Sequence, residues 1–250
     1  YHPVIVYEDR LTVCLSEPSV LEEWQQEVAR VNELLHPDGF LMSHDELRVM
    51  NQCALCQSKK MTPGQLLAWN VRQAAQIIRD AALAVAHAHE RGVLHRDIQP
   101  CNIMVGFDGA VRVLDFGLVK LAATLAPGDD SVLSRTIAVQ GTPSYMPPEQ
   151  ALGRTGDIRE RSDVYSLGAT LFFLLTGRPP FEGPTPMKTC FSVVRDPLPL
   201  PSQLNPAVKA DLERVVVRAM AKDPVRRYES AKALAEDLDR FLAGLPVLTD

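Results

Sequence analysis

The sequence predicts an α+β fold in two unequal lobes that share a cleft: a reduced front lobe over residues 1–56 and a mainly helical second lobe over 57–250. Three observations predict it. A length of 250 residues suits one large domain or two lobes around a cleft. The second lobe carries long stretches of helical periodicity, at 71–92, 162–176, 206–220 and 229–242. Strand signals are few and short, two before residue 16 and a β-hairpin pattern at 103–114.

In chain order, Val4 to Val6 and Leu11 to Leu15 read as short strands. Residues 22–35 read as a helix, with Trp24, Val28, Val31 and Leu35 on one face. Residues 40–56 leave room for two more short strands. Val71, Ala74, Ala75, Ile78, Ala82, Val85 and Ala86 then recur at helical spacing, and Gly92 stops the pattern. Ile103–Val105 and Val111–Leu114 flank a Gly-Phe-Asp-Gly turn and read as a hairpin. Residues 115–149 form a long irregular stretch rich in Ser, Thr, Gly and Pro, the kind of loop that carries function. Residues 162–176 are apolar on all sides, the mark of a buried helix, and end at Gly177 and Pro179-Pro180. A proline-rich connector at 197–206 leads to two amphipathic helices, the last closed by Gly244.

Composition narrows the function. The chain is 46% hydrophobic and 23% charged, as soluble globular proteins are. Its net charge of −5 and the lack of a basic stripe argue against nucleic acid as a partner. The longest apolar run, at 167–175, is too short to cross a bilayer, and no signal peptide is readable. Five scattered cysteines make no disulfide framework, so a reducing, cytoplasmic setting is expected. Cys53 and Cys56 have metal-ligand or redox spacing. A structural zinc site wants four ligands and no second such pair exists, so free thiols are the expectation.

Three motifs carry the chemistry. His95-Arg96-Asp97-Ile98-Gln99-Pro100-Cys101-Asn102 fits H-R-D-x-x-x-x-N. Asp115-Phe116-Gly117 follows the hairpin, and Gly141-Thr142-Pro143-Ser144-Tyr145-Met146-Pro147-Pro148-Glu149 fits G-T-x-x-Y-M-x-P-E. In this order, with these elements between them, the chain resembles the protein kinases over about residues 69–242. Asp163-Val164-Tyr165-Ser166-Leu167-Gly168 and Arg226-Arg227-Tyr228-Glu229-Ser230-Ala231 are most similar to the bacterial serine/threonine kinases.

The resemblance implies a catalytic loop at 95–102, an activation segment at 115–149 and ATP-dependent phosphorylation of serine or threonine on protein substrates. It gives Asp97 the substrate hydroxyl, and Asn102 and Asp115 the Mg²⁺, a hard cation that prefers oxygen ligands. Gly117 allows the turn after Asp115, and Met104 is implied against the adenine. Arg96 is implied to grip a phosphate on the activation segment, at Ser134 or Thr136, while Thr142 shapes the substrate groove beside Asp97. Glu149 is expected to pair with Arg227, and Asp163 to hold the backbone of the catalytic loop.

The front lobe departs from the family. Before Gly92 the only glycines are Gly39 and Gly64, from which no glycine-rich phosphate loop can be built. Glu27 matches the family's αC glutamate, with His36-Pro37 nine residues on. Counting back about twenty residues to the lysine that such a glutamate pairs with arrives at Tyr7. Gln99 stands where the catalytic loop usually carries lysine, and Pro147 replaces an alanine. Two accounts fit: a kinase domain lacking its first strands, or a catalytically dead, kinase-like binding or scaffold module. A reduced front lobe also predicts either poor solubility or a protein partner that covers it.

Overall fold

The computed structural model describes residues 4–7, 10–13, 63–106, 109–116 and 143–249. The boundary expected at 56/57, the helix expected at 22–35, the strands expected within 40–56, and Cys53 and Cys56 lie outside these residues. Strands β1 (Val4–Tyr7) and β2 (Arg10–Val13) pair antiparallel, Val4 opposite Val13 and Tyr7 opposite Arg10.

Helix α1 runs Pro63–His89, eight residues longer at its start than the apolar periodicity indicated. Pro63 and Gly64 would break a helix interior. In the first turn proline has no intrahelical N–H bond to lose. Val71, Ala74, Ala75, Ile78, Ala82 and Val85 are buried, together with Ala81. Strands β3 (Ile103–Val105) and β4 (Val111–Val113) form the expected hairpin, with Met104 opposite Arg112. The remaining helices are α2 (Pro148–Ala151), α3 (Glu160–Thr176), α4 (Pro186–Arg195), α5 (Pro201–Leu204), α6 (Ala210–Ala219) and α7 (Ala231–Leu242).

The core of this helical region gathers around α3. Every residue from Ser162 to Phe172 is buried, as a helix packed on all sides requires. Ile78 and Val85 of α1, Leu212 and Val216 of α6, and Leu234 and Leu238 of α7 join its Leu167 and Leu171 in one cluster. At Gly168 the helices α3 and α6 come so close that a Cβ would lie 2.7 Å from the Ala219 Cβ. Gly177, at φ +70°, ends α3, and its N–H donates to the Phe173 carbonyl. Ser230 caps α7, its hydroxyl accepting from the Ala233 N–H. No helix among the described residues is long and apolar enough to cross a membrane.

This scaffold brings three segments to one place. The loop between α1 and β3 starts where α1 ends, the hairpin β3–β4 returns the chain to the end of that loop, and the first turn of α3 lies beneath it. The Leu114 N–H donates to the Asn102 carbonyl at 2.9 Å, which ties the exit of the hairpin to its entrance.

Candidate active site

Asp163, in the first turn of α3, is 1% exposed, and its carboxylate organises the loop above it. Oδ2 accepts from the His95 N–H and from His89 Nε2, and Oδ1 accepts from the Arg96 N–H, each at 2.8 Å. A carboxylate this deep is tolerable only when such donors replace water. Arg96 sits at φ 68°, a left-handed conformation that costs a side-chain-bearing residue about 1–3 kcal/mol, and its bonded N–H helps hold it there. The Gln150 amide of α2 donates to the Arg96 carbonyl at 3.1 Å. The Arg96 Nε is buried and makes no hydrogen bond among the described residues.

His95 is fully buried and works through both ring nitrogens. Nε2 lies 2.7 Å from the Leu114 carbonyl, and Nδ1 accepts from the Asp97 N–H at 3.3 Å. Its ring packs against Phe116 at 4.7 Å between centroids. One imidazole therefore links the loop carrying Asp97 to the residue preceding Asp115.

Asp97 is half-buried. The side-chain amides of Asn102 and Gln99 each donate to its Oδ2 at 3.2 Å, and Asn102 Nδ2 also donates to the Asp97 carbonyl at 2.8 Å. Burial is the largest influence on the Asp97 carboxyl and raises it above the ordinary aspartate value. The Asn102 bond, the nearby His95 and the Gln99 bond pull it down less strongly, and the charge of Asp115 adds to the rise. Asn102 is 8% exposed, and since its nitrogen is spent on Asp97, its carbonyl oxygen remains for another partner. Asp115, at φ 59°, is exposed at the end of the hairpin. Cys101, between Gln99 and Asn102, is an exposed free thiol, raised chiefly by desolvation and also by the charges of Asp97 and Asp115.

A carboxylate, a carboxamide oxygen and a half-buried carboxylate thus converge at the mouth of the hairpin. The set suits a hard divalent cation beside a group that accepts a proton. Met104 is half-buried on β3, one residue beyond Ile103. Gly117, Ser134, Thr136, Thr142 and Glu27 lie outside the described residues.

Below the loop, Glu149 and Arg227 meet in the interior. Arg227 Nη1 and Nη2 donate to the two carboxylate oxygens of Glu149, each at 2.8 Å. The other guanidinium protons go to the carbonyls of Ala221, Arg161 and Lys222, so all five donors are used. Burial works to raise the Glu149 carboxyl. The bonds and charge of Arg227 and the Ser162 hydroxyl at 2.6 Å outweigh it and hold the carboxyl below the ordinary glutamate value.

Sequence reasoning passed over His89, Gln150 and the His95 ring. His89 carried a legible signal, since it continues the buried stripe four residues beyond Val85. The Gln150 contact joins segments 54 residues apart and left no local trace.

A model of the protein kinase domain matches residues 14–238. The serine/threonine-protein kinase PknB of Mycobacterium leprae is 43% identical over 185 residues, which cover 72% of this chain and 28% of that protein. PknB of Mycobacterium tuberculosis is 44% identical over 185 residues, with the same shares. A probable serine/threonine-protein kinase of Streptomyces coelicolor is 40% identical over 165 residues, 66% of this chain and 24% of that protein. The chain therefore spans under a third of the length of these curated relatives.

Proposed function

The chain belongs to the protein kinase domain family, and on that premise we propose that it transfers the γ-phosphoryl group of ATP to serine or threonine hydroxyls of protein substrates. The observation that carries this reading is the way Asp97 is held. Two side-chain amides fix its Oδ2, and Asp163 fixes the backbone just before it. The printed names of the relatives supply the serine/threonine class.

In this reading Asp97 orients the incoming hydroxyl and receives its proton. The hydroxyl O–H bond breaks, its oxygen bonds to the γ-phosphorus, and the bond from that phosphorus to the bridging oxygen of ADP breaks with its electron pair. The oxygens of Asn102 and Asp115 fit Mg²⁺, which when bound neutralises charge on the phosphates. Met104 and Gly117 take the adenine-contact and turn roles that the family resemblance gives them. The buried Nε of Arg96, which has no partner among the described residues, suits a phosphate on Ser134 or Thr136. Thr142 and Glu27 take the substrate-groove and αC roles that the family resemblance gives them.

A phosphotransfer assay on a generic serine/threonine substrate tests this reading. Asp97→Asn is expected to lower the rate by about 10²–10⁴-fold while leaving nucleotide binding in place. Equal activity in the two proteins would refute the role of Asp97. A second reading, a kinase-like binding module without phosphotransfer, is favoured by Gln99, a neutral amide at a position where the family carries a cation. No transfer by the unaltered chain, together with intact partner binding in Asp97→Asn, is the result that reading expects.

A further inference from the structure

Lys222 lies in the loop between α6 and α7, where Arg227 fixes the backbone: the Ala221 and Lys222 carbonyls accept from Arg227 Nε and Nη2 at 2.8 and 3.1 Å. Its side chain reaches the end of α4. There the Val193 carbonyl lacks its usual helical donor, because the residue four places on is Pro197, which has no N–H. Lys222 Nζ donates to that carbonyl instead and lies 3.9 Å from the centroid of the Phe181 ring. Val193 is fully buried and Phe181 is 5% exposed, so the amine is seated against apolar surface. Among the described residues no carboxylate pairs with it, and Asp196 acts on it only from farther off. Lys222 itself is half-buried, while Asp196, Pro197 and Asp223 are exposed, which leaves the seat open to a small reagent. An ammonium held this way has lost water and gained no partner of opposite charge, which favours the neutral amine.

We propose that Lys222 is a modification site, whose ε-amine accepts an acyl group from a small acyl thioester. A lysine desolvated in apolar surroundings is an activated nucleophile. Its lone pair attacks the thioester carbonyl carbon. The C–N bond forms, the C–S bond breaks with its electron pair going to sulfur, and the proton lost from nitrogen converts the thiolate to thiol. The product amide carries no charge and keeps one N–H where the ammonium had three. It therefore ends the cation–π contact with Phe181 and weakens the cap on Val193, which loosens the last turn of α4. The balance at Lys222 agrees with the geometry: desolvation is the largest influence and brings the ammonium down to about 8, with the Asp196 carboxylate opposing it and the Arg227 charge adding to it. The site is independent of the phosphotransfer reading.

The test treats the folded full chain with S-acetyl-N-acetylcysteamine, a small acetyl thioester, and reads acetylation at each lysine by peptide mass spectrometry from about pH 6 to about pH 10. The exposed Lys209 and Lys232 are internal references. Near neutral pH Lys222 is expected to react about tenfold faster than either. Its rate should level off above about 8, where its own titration ends, while the rates of the references keep rising. Asp196→Asn removes the opposing charge at an exposed position. It is expected to raise the Lys222 rate near neutral pH by about two- to threefold and to leave the references unchanged. Acetylation of Lys222 should also speed hydrogen exchange at the Asp196 amide, which donates to the Ser192 carbonyl in the last turn of α4. Lys222 reacting no faster than Lys209 and Lys232 near neutral pH, or rising in parallel with them throughout, would overturn the proposal. An unchanged Lys222 rate in Asp196→Asn would overturn it too, and unchanged exchange at Asp196 would refute the link to α4.

Discussion

Asp163 shows how one buried side chain sets the conformation of a loop it does not belong to. It accepts two backbone N–H groups and one imidazole, and all three would be left buried without it. Asp163→Ala is expected to destabilise the chain by roughly 2–5 kcal/mol, from at least two orphaned donors at about 1–3 kcal/mol each, measurable as a lower denaturant midpoint at unchanged slope. An unaltered midpoint would contradict this account of the loop. Much of the site was readable at this scale because residue type and spacing carry the chemistry. Asp97, Asn102 and Asp115 stand within a 19-residue stretch around one hairpin, and the hairpin itself was legible from its alternation and turn. The unequal treatment of the Asp97 oxygens was not legible, since it depends on which way two amides point.

At the scale of elements, the packing of α3 against α6 and the tie between α2 and the segment before α7 matter most. Gly168→Ala places a methyl 2.7 Å from the Ala219 Cβ and 3.0 Å from the Met220 Cγ. Neither helix can retreat without opening the core, so a loss of about 1–3 kcal/mol is expected, seen as a lower melting temperature. The Glu149–Arg227 pair joins residues 78 apart. Arg227→Met strands a buried carboxylate and is expected to cost about 3–5 kcal/mol. Since Glu149 titrates below its ordinary value in the folded state, its contribution is present at neutral pH and disappears as pH falls through that lowered titration. The stability gap between the unaltered protein and Glu149→Gln should therefore narrow in acid; a gap constant from pH 7 to about pH 3 would refute the ion pair as its source. Helix α4 escaped sequence reading because only Thr189, Cys190 and Val193 are buried, one narrow face. Its signals were at the start: Thr185, whose hydroxyl accepts from the Lys188 N–H, and Pro186 in the first turn.

Over the whole molecule, the described helical region is closed by its last residues. Beyond Gly244 the chain folds back on α7. The Leu248 N–H donates to Asp237 Oδ1, and the Thr249 and Tyr228 hydroxyls donate to Asp237 Oδ2 at 2.7 and 2.9 Å. Arg218 donates to the Thr249 hydroxyl at 2.9 Å and stacks over the Tyr228 ring. Thr249→Val keeps the shape and removes these bonds, so a loss of about 1–3 kcal/mol is expected in thermal unfolding. This latch was not legible beforehand, because its partners come from α6, α7 and the loop between them, and no local pattern marks it. The helices of the described region were legible from their periodicity, and the kinase-like fold followed from the motif order. What the front lobe contributes to nucleotide binding was read from Glu27, Tyr7 and a shortage of glycine, features of sequence alone.

Under the proposed function Asp97, Asn102 and Asp115 form a nucleotide site that works through Mg²⁺, and the decisive measurement is calorimetry of ATP binding with and without Mg²⁺, on the unaltered chain and on Asp115→Ala. Binding is expected to require the metal and to be lost or strongly weakened in Asp115→Ala. Binding that ignores both Mg²⁺ and Asp115, or no binding at all, would contradict it.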